Sequence, residues 1–156
     1  MEKDKPGVIA FPPLIWLVTV VASLLVHFFV GGVPISILPR TVSILIGIVL
    51  VIIGPLLAIP AAMAMKAAGT NMHPSKPATT IVRGGPYRFT RNPMYLALCL
   101  LQIALGFFLN DWTTLFFVIP LALILHFGVI LREERYLEAK FREEYLALKR
   151  RVRRWI

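Results

Sequence analysis

Residues that form disulfides or bind metals are scarce in this sequence of 156 residues. Cys99 is the only cysteine, so an internal disulfide is excluded, and the cysteine and three histidines lack the spacing of a metal site. The sequence also has no Gly-x-Gly-x-x-Gly or phosphate-binding-loop pattern, which excludes the common soluble nucleotide-binding folds. We predict no metal site, and we expect Cys99 to be buried and unreactive because it lies in an apolar run.

Most residues of the chain are apolar. They account for 58% of the chain, and the mean hydropathy of +0.76 lies outside the soluble globular range. A membrane-crossing helix needs roughly 20 apolar residues, and four runs approach or exceed that length. These runs cover residues 8–30, 42–65, 93–109 and 113–131. The first is too long for a signal peptide and has no small-residue cleavage site, so we expect it to be retained. We therefore predict an all-α, multi-pass integral membrane protein with four transmembrane helices.

The basic residues are distributed unevenly along the chain. Of 17 Lys and Arg residues, five lie between the second and third runs and nine follow the fourth. The other two connections carry only Arg40 and Asp111, so the positive-inside rule places both termini in the cytoplasm. We expect one domain, residues 1–156, in four parts. These are two N-terminal spans (1–65), a cytoplasmic loop (66–92), a helical hairpin (93–131) and a cytoplasmic C-terminal segment (132–156).

The C-terminal segment has an amphipathic pattern. Leu137, Phe141, Tyr145, Leu148 and Val152 recur at intervals of three or four residues, with charged residues between them. This pattern predicts an interfacial helix whose basic residues rest on anionic membrane lipid. We expect no nucleic-acid partner.

Two features of the spans bear on where a site could form. Pro55 and Pro60 predict a kinked or broken second helix, which is typical either of a binding crevice or of ordinary transmembrane helices. The short connection Asn110-Asp111-Trp112 predicts a tight antiparallel hairpin. The cytoplasmic ends of the third and fourth spans should therefore lie side by side.

Aromatic, cationic and amide groups are concentrated immediately before the third span, in residues 84–95. Asn92 and Pro93 predict a helix start, with the Asn92 side chain accepting a hydrogen bond from a free backbone N–H. A helix N-terminus favours a carboxylate or phosphate, and Arg88 and Arg91 strengthen that preference. The alternative is that these arginines, with the neighbouring tyrosines, only anchor a helix at the interface.

Two adjacent carboxylates, Glu133 and Glu134, lie at the cytoplasmic end of the fourth span between Arg132 and Arg135. Neighbouring helical positions point about 100° apart, so we expect one glutamate to face the groove between the spans and the other to pair with an arginine. An ordinary surface network of Glu and Arg is the alternative. His126 lies on the same helical face and either lines this groove or has a structural role.

The two clusters together suit a ligand with a carboxylate, a cation, a ribose diol and an aromatic base. S-adenosylmethionine has all four groups. The helix N-terminus with an arginine could hold its carboxylate, a glutamate its diol or ammonium, and tyrosines its adenine or sulfonium. The fit is permissive and does not exclude other ligands.

At these residues the sequence resembles the membrane methyltransferase family that includes isoprenylcysteine carboxyl methyltransferases and phospholipid N-methyltransferases, especially short bacterial members. The resemblance covers about residues 68–156 and rests on four ordered motifs. These are Ala68-Gly69-Thr70 with His73-Pro74 and Lys76-Pro77, Gly85-Pro86-Tyr87-Arg88 through Arg91-Asn92-Pro93-Met94-Tyr95, Arg132-Glu133-Glu134-Arg135, and Phe141 with Glu144-Tyr145.

The resemblance implies a helical enzyme that binds S-adenosylmethionine at its cytoplasmic face, in a bacterial or archaeal cell membrane, and takes a lipophilic acceptor from the bilayer. Several residues match the family's cofactor-binding motifs: Gly85, Pro86, Tyr87, Arg91, Asn92, Tyr95, Glu133 and Glu134. Gly69 and His73 match the loop that helps to close the site. For catalysis we expect Arg91 or Arg132 to hold an acceptor carboxylate, or a glutamate such as Glu134 to hold an acceptor amine and take its proton.

Two departures narrow the resemblance. Prenylcysteine enzymes usually have Arg-His-Pro where this chain has Arg91-Asn92-Pro93, which argues against prenylcysteine specificity. They have Phe-Gly where this chain has Phe141-Arg142, which places a long cation near the site.

We interpret the sequence as an S-adenosylmethionine-dependent methyltransferase that acts on a membrane-dissolved carboxylate, amine or thiol. One alternative is a membrane reductase of the sterol-reductase type that uses NADPH. Another is a non-catalytic membrane protein whose basic tail binds anionic lipid. The sequence does not predict the oligomeric state.

Overall fold

The computed structural model describes residues 4–74 and 76–156, and these residues form helices and connecting loops without a β-strand. The helices in chain order are α1 (Pro12–Leu25), α2 (Arg40–Ala67), α3 (Pro93–Leu109), α4 (Trp112–Phe116), α5 (Val118–Leu125), α6 (Leu131–Phe141) and α7 (Glu143–Arg151). A π-helical turn, Val26–Gly31, extends α1, and a second, His126–Ile130, joins α5 to α6. The all-α prediction is confirmed.

Three helical stretches are long and apolar enough to cross a membrane. They are Pro12–Gly31, Arg40–Ala67 and Trp112–Phe141. The fourth predicted span, α3, is also apolar but has only 17 residues. At 1.5 Å per residue it extends about 25 Å, which is less than the roughly 30 Å hydrocarbon core. The lengths and composition of the helices agree with an integral membrane protein.

Helix α2 is continuous through Pro55 and Pro60, so of the two predicted forms, a kinked or a broken helix, the broken one is excluded. Each proline removes one backbone donor, but the other peptide groups in an apolar helix have few partners except one another. Small residues let α2 approach α3 closely: a Cβ on Gly54 would lie 3.3 Å from the Leu101 side chain.

The predicted hairpin after α3 is confirmed. Asn110 ends α3 in a left-handed conformation, and the Asp111 side chain accepts hydrogen bonds from the backbone N–H groups of Thr113 and Thr114 at the start of α4. The two segments pack so closely that a Cβ on Gly106 would lie 2.6 Å from the Leu115 backbone.

Asp111 also fixes the connection between α1 and α2. Its carboxylate accepts from the Val33 N–H at 2.7 Å and lies 3.1 Å from the His27 ring, while the Val33 carbonyl accepts from the Trp112 N–H. Burial raises the pKa of Asp111, but hydrogen bonds from Thr114, His27 and Thr113 outweigh this effect and bring the pKa to about 2. The two short connections therefore meet at one end of the bundle.

The N-terminal segment lies at the opposite end, against α6. The Asp4 carboxylate accepts hydrogen bonds from Lys140 and Tyr136, and the Ile9 N–H donates to the Gly128 carbonyl. The hydrogen bonds from Lys140 and Tyr136 lower the pKa of Asp4. The first described residues, from Asp4 onward, and the C-terminal residues thus both lie on the side of α6 and α7.

The prediction of one uninterrupted C-terminal helix is wrong. Helix α6 ends at Phe141, Arg142 has φ 43° and ψ −119°, and α7 begins at Glu143. The apolar side chains of the predicted amphipathic face pack into a cluster of the protein's own residues, namely Ile81, Leu137, Phe141, Tyr145, Leu148 and Val152. Residues 152–156, called the C-terminal tail below, then run past the start of α3, where the Arg91 N–H donates to the Arg153 carbonyl.

Candidate active site

A cavity lies between the start of α3, helices α6 and α7, and the loop from Thr70 to Val82. It is called the site cavity below. The predicted meeting of the two polar clusters is confirmed here, because Tyr95 on α3 and Glu133 on α6 are in direct contact. The Tyr95 hydroxyl lies 2.8 and 2.9 Å from the two Glu133 carboxylate oxygens and donates to this carboxylate. The short hairpin at Asp111 explains why residues 38 positions apart meet.

Tyr87 forms a second aromatic wall of the site cavity. It lies in a short 3₁₀ turn, Gly85–Arg88, and only 9% of it is exposed. Burial and the nearby Glu133 charge raise the pKa of Tyr87 above its ordinary value, so its hydroxyl stays protonated at neutral pH. Gly85 and Pro86 shape this turn, with Gly85 at φ 57°, and do not themselves line the cavity.

Glu134 is held by two arginines. Arg154 donates to both carboxylate oxygens at 2.9 and 2.8 Å, and Arg91 donates to one of them at 2.7 Å. Glu134 is 5% exposed and the Arg91 side chain is also buried, whereas the Arg154 side chain is partly exposed. The Arg91 guanidinium also donates to the Lys149 carbonyl, and its Nε has no hydrogen-bond partner among the described residues. Glu134 pairs with arginines, as expected of one glutamate, and Glu133 contacts Tyr95, but both glutamates line the site cavity.

The predicted capping role of Asn92 is wrong. Its side chain makes no cap hydrogen bond to α3 and instead donates to the Arg154 carbonyl at 2.9 Å. Thr90 accepts from the Asn92 N–H and donates to the same Arg154 carbonyl. Asn92 therefore attaches the C-terminal tail to the start of α3, while Pro93 still occupies the first helical turn.

Of the other three residues that the sequence predicted for the site, only His73 lines the site cavity, and Gly69 and Arg132 do not. Gly69 lies at the end of α2 with φ 68°, and it lines a second, apolar opening next to the site cavity. His73 lines both openings, and its ring stacks on Phe11 with the ring centroids 4.8 Å apart. Arg132 lies outside the site cavity, where its guanidinium donates to the Gly7 carbonyl. The structure therefore does not bring Arg132 to the predicted site.

His126 has a structural contact. Its ring accepts a hydrogen bond from the Trp155 indole at 3.3 Å and stacks on that indole. It does not line the site cavity, whereas Ile130, one turn later, does. Of the two roles that the sequence allowed for His126, the structural one is observed.

Sequence reasoning assigned Gly69 and His73 to a loop that helps to close the site, but it did not predict how this loop is held. A hydrogen bond from Thr79 N–H to the Thr70 hydroxyl and one from Ala78 N–H to the Tyr136 hydroxyl hold it. Sequence reasoning missed Arg154, which belongs to a basic run that we assigned to lipid contact. No pattern within that run distinguishes Arg154 from its neighbours.

Among the described residues, no group of three or more His, Cys, Asp or Glu side chains could hold a metal ion. The polar side chains that line the site cavity include the two glutamates, four tyrosines and Arg91. This set can accept hydrogen bonds from cations and diols at Glu133 and can attract an anion toward the arginines.

Comparison with known proteins identifies the family. A family model described as phospholipid methyltransferase matches residues 42–144, about two thirds of the chain. An uncharacterized protein of Haemophilus influenzae is 41% identical over 63 residues, which cover 40% of this chain and all of that protein. No solved structure matches the chain. The matched range begins in α2 and includes Tyr87, Tyr95 and both glutamates, and the chain therefore belongs to the phospholipid methyltransferase family.

Proposed function

We propose that this protein is an S-adenosylmethionine-dependent methyltransferase that acts on an acceptor dissolved in the membrane. The observation that carries the proposal is the contact between Tyr95 and Glu133 in the wall of a cavity that Tyr87 also lines. This contact joins two segments within the family match.

The residues present fit the cofactor. Glu133 offers a carboxylate for an ammonium or a ribose diol, and Tyr95 is the only described residue that hydrogen-bonds to it. Tyr87 and Tyr95 offer aromatic faces to a sulfonium or an adenine ring. The cluster of Arg91, Arg154 and Glu134 has one more cation than anion, which suits a carboxylate. S-adenosylmethionine supplies an electrophilic methyl group when bound.

The protein's own residues align the reactants and exclude water, and methyl transfer needs no covalent nucleophile. Glu133 can hold an acceptor amine and take its proton. Arg91 is buried and already bonded to Glu134, so for an acceptor carboxylate it contributes mainly charge. Arg132 has no part in this proposal because it lies outside the cavity.

We further propose that α3 crosses the membrane as a fourth span and that both termini are cytoplasmic, in a bacterial or archaeal cell membrane. The N-terminal segment pairs with α6 at the cavity end, and the connections near Val33 and Asp111 meet at the other end, which is the arrangement of an even number of crossings. The basic residues are concentrated at the cavity end, in agreement with the positive-inside rule. A short fourth span is accommodated by local thinning of the bilayer.

Thermal unfolding in detergent tests the cofactor. At about 100 times its dissociation constant, a ligand adds roughly 2.7 kcal/mol to the folded state. We expect S-adenosylmethionine and its demethylated product to raise the unfolding midpoint, and NADPH to leave it unchanged. A shift with NADPH alone would favour a reductase, and no shift with any of the three would contradict the enzyme proposal.

The acceptor is tested by incubating the protein with methyl-labelled S-adenosylmethionine and a total lipid extract, then identifying the labelled product. We expect label in the lipid fraction. Glu133→Gln should abolish it, whereas Glu144→Gln, which removes an exposed carboxylate paired with Arg83, should not. Equal labelling by both variants would exclude Glu133 from the site.

A further inference from the structure

The apolar opening beside the site cavity is a groove of about 870 Å³, within the usual size range of ligand pockets. It is called the apolar groove below. Helix α2 lines one side with Gly54, Ala58 and Ala62, and α3 lines the other with Ala97 and Leu101. The small residues on α2 leave the space open, because longer side chains at these positions would extend toward α3.

The apolar groove and the site cavity adjoin each other and share lining residues. Met94 and Tyr95 line both, as do the loop residues from Thr70 to His73. An elongated molecule could therefore lie along α2 and α3 with one end at Tyr95, beside Glu133. The groove is placed to bring one end of a hydrophobic molecule to the proposed site of methyl transfer.

The charged groups at the groove are all basic. Lys66, at the end of α2, and Lys76, in the loop, are exposed lining residues, and no described lining residue is acidic. Neither ammonium forms an ion pair with a described carboxylate. Two free cations at the polar end of an apolar groove attract an anionic head group and disfavour a cationic one.

We propose that the apolar groove binds the hydrocarbon chain of an anionic amphiphile, with Lys66 and Lys76 contacting its head group. The assignment of this amphiphile as the methyl acceptor rests on the proposed function, but the binding itself does not. The shared chemistry is a carboxylate or a phosphate on an alkyl chain. The first two helices thereby receive a role in selecting the acceptor, with Ala58 and Ala62 limiting which chains fit.

Photocrosslinking tests the groove without measuring activity. Three alkyl probes of equal length, each with a diazirine in the chain, carry a carboxylate, a phosphate or a primary amine as head group. The protein in detergent is irradiated with each, and the labelled peptides are identified by mass spectrometry. We expect the carboxylate or phosphate probe, or both, to label α2 between Ala58 and Lys66 and α3 near Leu101, and the amine probe to label these segments less.

Two variants on α2 provide the control. Ala58→Trp fills the apolar groove and should remove labelling there, whereas Leu56→Trp, on the lipid-facing side of the same helix, should not. Ala62→Leu is a smaller obstruction for use if Ala58→Trp does not fold. Lys66→Gln should weaken binding of the anionic probe by about 1.4- to fivefold, because an exposed charge contact contributes about 0.2–1 kcal/mol.

The outcomes separate this proposal from the proposed function. Equal labelling by the amine probe, or labelling spread over all lipid-facing helices and unchanged in Ala58→Trp, would overturn the groove assignment even if S-adenosylmethionine still stabilises the protein. Selective labelling of the groove without stabilisation by S-adenosylmethionine would retain the binding site and remove the methyltransferase proposal.

Discussion

Arg154, two residues before the chain ends, donates hydrogen bonds to both carboxylate oxygens of Glu134. This contact closes the C-terminal tail against the wall of the site cavity. Arg91 completes the cluster from the start of α3, so one carboxylate joins three separate segments of the chain. Glu134 is thus paired with two arginines, whereas among the described residues Glu133 hydrogen-bonds only to Tyr95.

Arg154→Gln should destabilise the protein by about 1–3 kcal/mol, because it removes charge-assisted hydrogen bonds from a buried carboxylate. Arg153→Gln is the matched control, since that side chain is exposed and no ion pair or side-chain hydrogen bond joins it to the described residues. The measurement is the free energy of unfolding in detergent. Equal effects of the two substitutions would mean that Arg154 contacts only lipid or solvent.

Substitutions of the two glutamates should have different effects, one mainly on stability and the other mainly on the binding of S-adenosylmethionine. Glu134→Gln leaves the buried Arg91 without its carboxylate, along with the partly exposed Arg154, and should cost about 3–5 kcal/mol of stability. Glu133→Gln should cost less stability, but it should remove most of the stabilisation by S-adenosylmethionine. Thermal unfolding of both variants with and without the ligand gives the two quantities. The reverse pattern would place the cofactor at Glu134.

The hairpin and the meeting of the two polar clusters could be predicted from the sequence, because both depend on short connections and on the length of apolar runs. Which glutamate would contact Tyr95 could not. Asn92 could not be predicted correctly. Its capping role is a local rule, but the partner that it contacts, the Arg154 carbonyl, lies 62 residues away along the chain. That partner is present only because the C-terminal segment folds back.

The break between α6 and α7, where the chain folds back, could not be predicted from the residue at that position. The chain reverses at Arg142, whose φ of 43° and ψ of −119° favour glycine, so an arginine there gives no local indication of a break. The amphipathic spacing from Leu137 to Val152 continues across the break, and it therefore predicted one helix on lipid where two helices pack together. The glycine that related enzymes carry after the phenylalanine fits this conformation without strain.

Arg142→Gly should consequently stabilise the protein. A non-glycine residue in such a conformation costs about 1–3 kcal/mol, and the greater freedom of glycine in the unfolded chain offsets part of the gain, so we expect a net increase of about 0.5–2 kcal/mol. Ala147→Gly, in the middle of α7, should instead destabilise by about 1 kcal/mol. Thermal midpoints of the two variants test this contrast. A loss of stability in Arg142→Gly would mean that the arginine side chain makes contacts that outweigh the strain.

Asp111 should make the stability of the bundle depend on acidity. Its pKa falls from an ordinary value of 3.8 to about 2 in the folded protein, as the hydrogen bonds from Thr114, His27 and Thr113 overcome the effect of burial. Between these values the unfolded chain binds more protons than the folded one, so lowering the pH favours unfolding. The stabilisation from Asp111 is complete above about pH 4 and is lost as the pH falls toward 2.

Asp111→Asn removes this titration while keeping a side chain of nearly the same shape. We expect the variant to be less stable at pH 6, because an amide is a weaker acceptor for the N–H groups of Val33, Thr113 and Thr114. The stability difference between the two proteins should narrow as the pH falls from 4 to 2, since the native carboxylate is then protonated as well. Glu144→Gln, at an exposed position, serves as the control for general acid effects. A difference that stays constant across this pH range would show that Asp111 stabilises the hairpin without its charge.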